Sequence, residues 1–120
     1  MGEKIKVVAV RPRTAPEVIE IENELKPMQE LVGGYIETLP IRIFGRNFIV
    51  VCNEEGKLND LPLGRVLFDD DDNLVDLIYG NFFVTKGVEE FASLDDEEIK
   101  IVLKKFERPV LAITPEEVRA

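Results

Sequence analysis

Alternating and continuous runs of apolar residues predict the strands of this chain. Residues 4–10 (KIKVVAV) and 17–21 (EVIEI) fit two strands of a hairpin, because side chains alternate sides along a strand. The uninterrupted apolar run at residues 48–52 (FIVVC) indicates a buried strand. Residues 58–68 show no sustained period and predict an ordered loop. The remaining β-rich runs are residues 35–43, 74–79 and 81–85.

Two stretches instead repeat apolar residues at the spacing of a helix. The first follows Asn23, the expected N-cap, and ends at Gly33, because glycine adopts the left-handed conformation without penalty. The second follows Ser93, which with Asp96 predicts a capping box. Its apolar stripe consists of Ile99, Val102, Leu103 and Phe106.

These elements predict an α+β fold. We expect a mixed, mainly antiparallel sheet of about five to six strands with two helices packed on one side. No internal repeat and no low-complexity linker interrupts the pattern. Residues 1–108 are therefore expected to form a single domain, followed by a C-terminal tail at residues 109–120.

The composition narrows the chemistry that the chain can perform. It has no histidine and a single cysteine, Cys52, which excludes a Ser-His-Asp triad, an intramolecular disulfide and a four-cysteine zinc site. The neighbouring Glu54 and Glu55 are expected to raise the pKa of Cys52, which we interpret as a structural thiol. No apolar run approaches the roughly 20 residues that span a bilayer, so we expect a cytoplasmic protein. We expect neither a metal nor another cofactor.

Charge is unevenly distributed along the chain. Residues 1–65 contain ten acids and nine bases, residues 66–99 eleven acids and one base, and residues 100–120 three acids and five bases, for a net charge of −9. A solvated surface and a patch that meets a basic partner are both open interpretations of the acidic run Asp69, Asp70, Asp71 and Asp72. An EF-hand does not fit, because Leu74 occupies the position of the required glycine. Direct nucleic-acid binding is unfavourable, because phosphates need basic partners.

A mixed set of polar residues provides the best candidate for a ligand-binding site. The set comprises Glu37, Asn53, Glu54, Lys57 and Arg65. Arg65 and Lys57 could clamp an anionic ligand while Glu37 or Glu54 accepts hydrogen bonds. The same residues would also suit a loop whose shape depends on its own charge pairs, so both interpretations stay open.

The order of short motifs along the chain adds a resemblance. The motifs are residues 31–37 (LVGGYIE), 51–58 (VCNEEGKL), Leu61-Pro62 with Arg65, 78–84 (IYGNFFV) and 91–94 (FASL). Together, over residues 4–106, they resemble the uncharacterised family called domain of unknown function 3846. This family is met mostly in phages, plasmids and other mobile elements of bacteria. Its members commonly have Asn-Arg shortly after the Leu-Pro, whereas here Gly64 precedes Arg65. The resemblance implies a small accessory protein of a mobile element and carries no established activity.

Two classes of function follow from these observations. We expect a non-enzymatic binding or modulator protein that acts on a protein partner or a small ligand, because the commonest general base is missing. The alternative is a carboxylate-based hydrolase or a small anionic-ligand-binding domain that uses Glu37, Glu54 and Arg65.

Overall fold

The computed structural model describes residues 3–109, which form seven strands and two helices. In chain order these are β1 (Lys4–Val10), β2 (Glu17–Glu22), α1 (Leu25–Val32), β3 (Ile36–Ile43), β4 (Arg46–Asn53), β5 (Leu63–Phe68), β6 (Leu74–Tyr79), β7 (Phe82–Thr85) and α2 (Asp96–Lys105). The tail expected at residues 109–120 lies outside the described residues apart from Pro109. Neither of the two described helices is long and apolar enough to cross a membrane.

Five of the strands form one antiparallel sheet in the spatial order β2-β1-β7-β4-β3. The predicted hairpin of β1 and β2 is present, and β7 lies between β1 and β4. At the centre, Val84 of β7 stands opposite Val8 on one side and Val50 on the other. All three valines are fully buried, so the middle of the sheet is apolar and closed to solvent.

The α+β class and the antiparallel sheet are confirmed, but the two helices lie on opposite faces of the sheet. On one face, α1 contributes Met28 and Val32 to a buried cluster with Ile5, Val7, Ile21, Val51 and Phe83. On the other face, α2 contributes Ile99, Val102 and Phe106 to a cluster with Val8, Val10, Val50, Phe82 and Val84. The expectation of both helices on one side was wrong because the central strands are apolar on both faces. Each face therefore needs its own cover.

A separate two-stranded hairpin, β5 paired with β6, packs on the face that α2 covers. Residues 58–68 were expected to form a loop, but their second half is β5. The register of the pair shifts between Leu63 and Arg65 and again between Leu67 and Phe68. Such irregularities disturb the alternation of side chains, so the strand leaves no regular period in the sequence. Leu67 and Ile78 pack the hairpin against the main sheet, in the same buried cluster as α2.

The N-cap of helix α2 lies two residues later in the chain than predicted. Asp95 is the N-cap: its side chain accepts the N–H of Glu98, and the carboxylate of Glu98 accepts the N–H of Asp95. Ser93 instead accepts the N–H of Lys6 in β1 through its Oγ, at 2.8 Å. The hydroxyl that suggested a cap therefore ties the segment before α2 to the sheet.

Helix α1 ends as expected but does not use the expected N-cap. Gly33 adopts the left-handed conformation with φ of 82° and ends the helix. At the other end the cap position is Glu24, which makes no capping hydrogen bond with its side chain. The Asn23 amide donates to the carbonyl of Phe91 at 2.9 Å. Asn23 therefore connects the start of α1 to the loop after β7.

Candidate functional site

A cavity of about 330 Å³ is bounded by β3, β4, the turn after β4, and β6. Its volume is within the range of small-molecule sites. We call it the carboxylate cavity, and its lining consists of Glu37, Cys52, Asn53, Glu54, Glu55, Gly56, Lys57, Leu58, Asp76, Leu77, Ile78 and Tyr79. The structure thus brings together four of the five residues proposed from the sequence. The fifth, Arg65, does not line this cavity.

The register of the sheet and one glycine shape the cavity. Glu37 on β3 stands directly opposite Cys52 on β4, so both side chains point to the face that carries the hairpin. The turn after β4 then passes close to β6 at Gly56. A Cβ atom there would lie 2.9 Å from the backbone oxygen of Tyr79, so only glycine allows the turn to pack this tightly.

Lys57 reaches from this turn across to β6. Its Nζ lies 3.7 Å from Oδ1 of Asp76 and 5.9 Å from the centroid of the Tyr79 ring. An ammonium group is attracted both by a carboxylate and by the face of an aromatic ring. The sequence did not indicate Asp76 or Tyr79, because both come from β6 and reach the site only through tertiary packing.

The charged side chains of the cavity wall are mostly carboxylates. The wall contains one ammonium, that of Lys57, and four carboxylates, those of Glu37, Glu54, Glu55 and Asp76. The cavity is therefore negative, which favours cationic over anionic groups. Among residues 3–109, no group of three or more histidine, cysteine or acidic side chains is arranged to hold a metal ion.

Asn53 positions the elements around the cavity. Its Nδ2 donates to the carbonyl of Val32 at the end of α1, at 3.1 Å, and its Oδ1 accepts the N–H of Glu55 at 2.7 Å. A Cβ atom on Gly34 would lie 2.9 Å from the same Nδ2, so any other residue at this position would crowd the Asn53 amide. The amide that was expected to contact a ligand is thus engaged by backbone groups of α1 and of the turn.

Cys52 is a buried thiol at the wall of the cavity. Its Sγ lies 3.7 Å from the carbonyl oxygen of Glu37. Burial, and then the nearby carboxylates of Glu37 and Asp76, raise the pKa of Cys52 to about 11. The expected direction is confirmed, but the contributing carboxylates differ from those expected, which were Glu54 and Glu55.

Arg65 is only 3% exposed and lies at the junction of three segments. Its guanidinium donates to four backbone carbonyls, those of Phe106 at 3.1 Å, Gly64 at 2.8 Å, Thr14 at 2.6 Å and Arg11 at 3.4 Å. Phe106 is the C-cap of α2, so the positive charge stands at the negative end of that helix. Burial lowers the pKa of Arg65. Its donors are directed at the backbone, so it does not serve as the expected clamp for an anion.

The acidic run Asp69–Asp72 forms the turn between β5 and β6, and half of it has a structural role. Asp70 accepts the backbone N–H groups of Phe44 and Gly45 in the turn between β3 and β4. Asp69 accepts the N–H groups of Asp71 and Asn73 within its own turn. These hydrogen bonds lower the pKa of both carboxyls. Lys104 and Lys105 of α2 lie beside the same turn. Their positive charges offset part of the negative charge that the four aspartates give to the proposed patch.

Two further cavities are wider and more open. One, of about 560 Å³, lies between the turn after β1 and the C-terminal end of α1. The other, of about 480 Å³, lies at the start of α1, and four glutamates contribute to its lining: Glu3, Glu24, Glu89 and Glu90. Neither contains any of the five residues proposed from the sequence.

Comparison with known proteins identifies one family. The family described as Domain of unknown function (DUF3846) matches residues 5–107 of the chain, which confirms the resemblance. No match was found among curated proteins or among solved structures.

We expect Arg65→Met to lower the free energy of unfolding by about 3 kcal/mol, because several buried carbonyls lose a charged donor. Arg46→Met is the matched control, since it removes an exposed ion pair with Glu97 whose atoms lie 3.4 Å apart. Its effect should stay below about 1 kcal/mol. Urea denaturation followed by circular dichroism measures both, and equal losses would contradict the anchoring role of Arg65.

Asp70→Asn should lower the thermal midpoint at neutral pH more than Asp71→Asn, because Asp70 accepts two backbone N–H groups of another turn. The pKa of Asp70 is lowered in the folded protein. Its contribution is therefore present above the unfolded pKa of about 3.9 and is lost as pH falls through the folded value. Differential scanning calorimetry at several pH values tests this, and a difference between the variant and the native protein that persists at pH 2 would count against it.

The raised pKa of Cys52 predicts that its thiol reacts slowly with a disulfide reagent. A pKa of about 11 instead of 9.0 means about a hundredfold less thiolate at pH 8. Because a more basic thiolate is also a stronger nucleophile, a disulfide reagent should react at least about tenfold more slowly with the folded than with the unfolded chain. Glu37→Gln should accelerate the reaction of the folded chain. Glu55→Gln removes the same charge from the same cavity without being among the causes of the shift, and an equal acceleration there would refute the assignment.

Proposed function

This chain belongs to the Domain of unknown function (DUF3846) family, and we propose that it is a non-enzymatic binding or modulator protein whose carboxylate cavity receives a positively charged group. The group belongs to a small ligand or to a protein partner. The observation that carries the proposal is the excess of carboxylates over ammonium groups in the wall of one concave site. Low-dielectric walls concentrate the field of such a site and raise the local concentration of cations.

The state of the polar groups supports binding over catalysis. Cys52, whose pKa is about 11, is almost entirely protonated at neutral pH and is a poor nucleophile. The amide of Asn53 is bonded to the backbone. The chain contains no histidine, so general acid–base chemistry would depend on carboxylates.

A carboxylate-based hydrolase is the second candidate, because Glu37 and Glu54 line the same cavity. This function would need one of the two as acid and the other as base. An anionic ligand is less well supported. Of the two cations expected to clamp it, Arg65 donates to backbone carbonyls and Lys57 stands beside Asp76.

The wider surface supports a basic partner. Asp71, Asp72 and Asp96 have no side-chain partner within residues 3–109 and keep their charge available. Such surplus charge speeds encounter with a basic molecule and disfavours nucleic acid. The proposal includes a cytoplasmic location and the mobile-element context that the family resemblance implies.

A titration of the full chain with spermidine, followed by amide chemical shifts, tests the proposal. We expect shifts at residues 53–58 and 76–79. Glu37→Gln and Asp76→Asn should each weaken binding about three- to fivefold, roughly the effect of one nearby charge in water. Added salt should weaken it further.

Asp71→Asn is the control, because it removes one negative charge outside the cavity. The proposal fails if this variant weakens binding as much as Glu37→Gln does, or if the shifts cluster around Glu89 and Glu90. Ester hydrolysis that Glu37→Gln and Glu54→Gln both abolish would favour the second candidate.

A further inference from the structure

We propose that the carboxylate cavity binds a primary ammonium group on an aliphatic chain, and that this group displaces the ammonium of Lys57 from Asp76 and Tyr79. The inference rests on the proposed function, because it names the ligand class of the same cavity. It also gives Lys57 a specific role, that of an internal competitor for the ligand.

Lys57 shows which chemistry the wall accepts. Its Nζ lies 3.7 Å from Oδ1 of Asp76 and over the face of the Tyr79 ring, 5.9 Å from the ring centroid. A carboxylate and an aromatic face are two of the partners by which proteins recognise ammonium ions. An ammonium from outside would find the same two partners at the same place.

The contact of Lys57 is weak enough to be exchanged. The side chains of Lys57 and Asp76 are 61% and 40% exposed, and exposed ion pairs of this kind add little stability. Lys57 belongs to a turn, and its long side chain can extend into solvent. A ligand therefore displaces Lys57 at little cost and retains the attraction of the remaining carboxylates.

The apolar part of the lining suits an aliphatic chain. Leu58 is 81% exposed, and it lines the cavity together with Leu77 and Ile78. The methylene groups of an alkylamine would cover this surface as the stem of a lysine does. Recognition of an ammonium also needs fewer carboxylates than a metal site, and the described residues offer no three-carboxylate group arranged for a metal.

The test compares dissociation constants for n-pentylamine, measured by amide chemical shifts on the full chain. Lys57→Met should bind n-pentylamine at least about threefold more tightly, because it removes both the competitor and one positive charge. Asp76→Asn should bind it about fivefold more weakly. Lys104→Met is the matched control: it removes the same charge from α2, where Lys104 pairs with Glu107 at 3.2 Å, and should change affinity by less than twofold.

Weaker or unchanged binding by Lys57→Met overturns the inference. If Asp76→Asn and Glu37→Gln still weaken cation binding in that case, the proposed function stands alone. If no cation perturbs the cavity of the native chain, both fail. If the native chain binds n-pentanoate but not n-pentylamine, and Lys57→Met abolishes that binding, the cavity instead receives an anionic ligand.

The source of the ammonium is distinguished by two probes of equal charge. Nα-acetyl-lysine methylamide represents a lysine of a protein partner, and n-pentylamine represents a free amine. Tighter binding of the first assigns the cavity to a lysine side chain, and tighter binding of the second to a small ligand. Tyr79→Leu should weaken both, whereas Tyr79→Phe keeps the ring and should preserve binding.

Discussion

All four residues of β7 are buried, because this strand lies in the middle of the sheet and both of its faces are covered. Phe82 and Val84 point to one side and Phe83 to the other. An apolar strand with two buried faces requires a separate layer on each face. Helix α1 forms one layer, and α2 together with the β5–β6 hairpin forms the other. The carboxylate cavity exists because this second layer has two parts, one of which carries Asp76 and Tyr79 toward β3 and β4.

Much of the main sheet could be predicted from the sequence, because alternation indicates a strand with one buried face and an uninterrupted apolar run indicates a strand with two. The apolar runs that became β1, β2 and β4 and the stripe of α2 are examples. Alternate residues of β1 and β7 face opposite sides of the sheet, and each helix packs against one of these two sets. The apolar pattern of a helix does not indicate which set it contacts. β5 was missed because its register shifts disturb the period that identifies a strand.

The candidate site was predictable in part for a similar reason. Glu37, Asn53, Glu54 and Lys57 lie on paired strands or on the turn that follows them, so proximity followed from the β3–β4 hairpin. Asp76 and Tyr79 were missed because they lie on the β5–β6 hairpin, which reaches the cavity only through tertiary packing. Arg65 was misassigned because a charged side chain suggests solvent exposure. A guanidinium can nevertheless be buried when backbone carbonyls accept its hydrogen bonds. The acidic run shows the same limit, since Asp70 and Asp71 are identical in sequence terms and differ only in what they bond.

The hydrogen bonds of Arg65 also bear on how the chain folds. Its guanidinium joins backbone groups 41 residues ahead of it, at Phe106, and 51 residues behind it, at Thr14. A state in which β5 has docked while α2 or the turn after β1 has not would enclose a positive charge without its acceptors, which is costly. Partly assembled states are therefore disfavoured relative to the complete structure. A single side chain thus couples the two ends of the described chain to its middle and makes unfolding more nearly all-or-none.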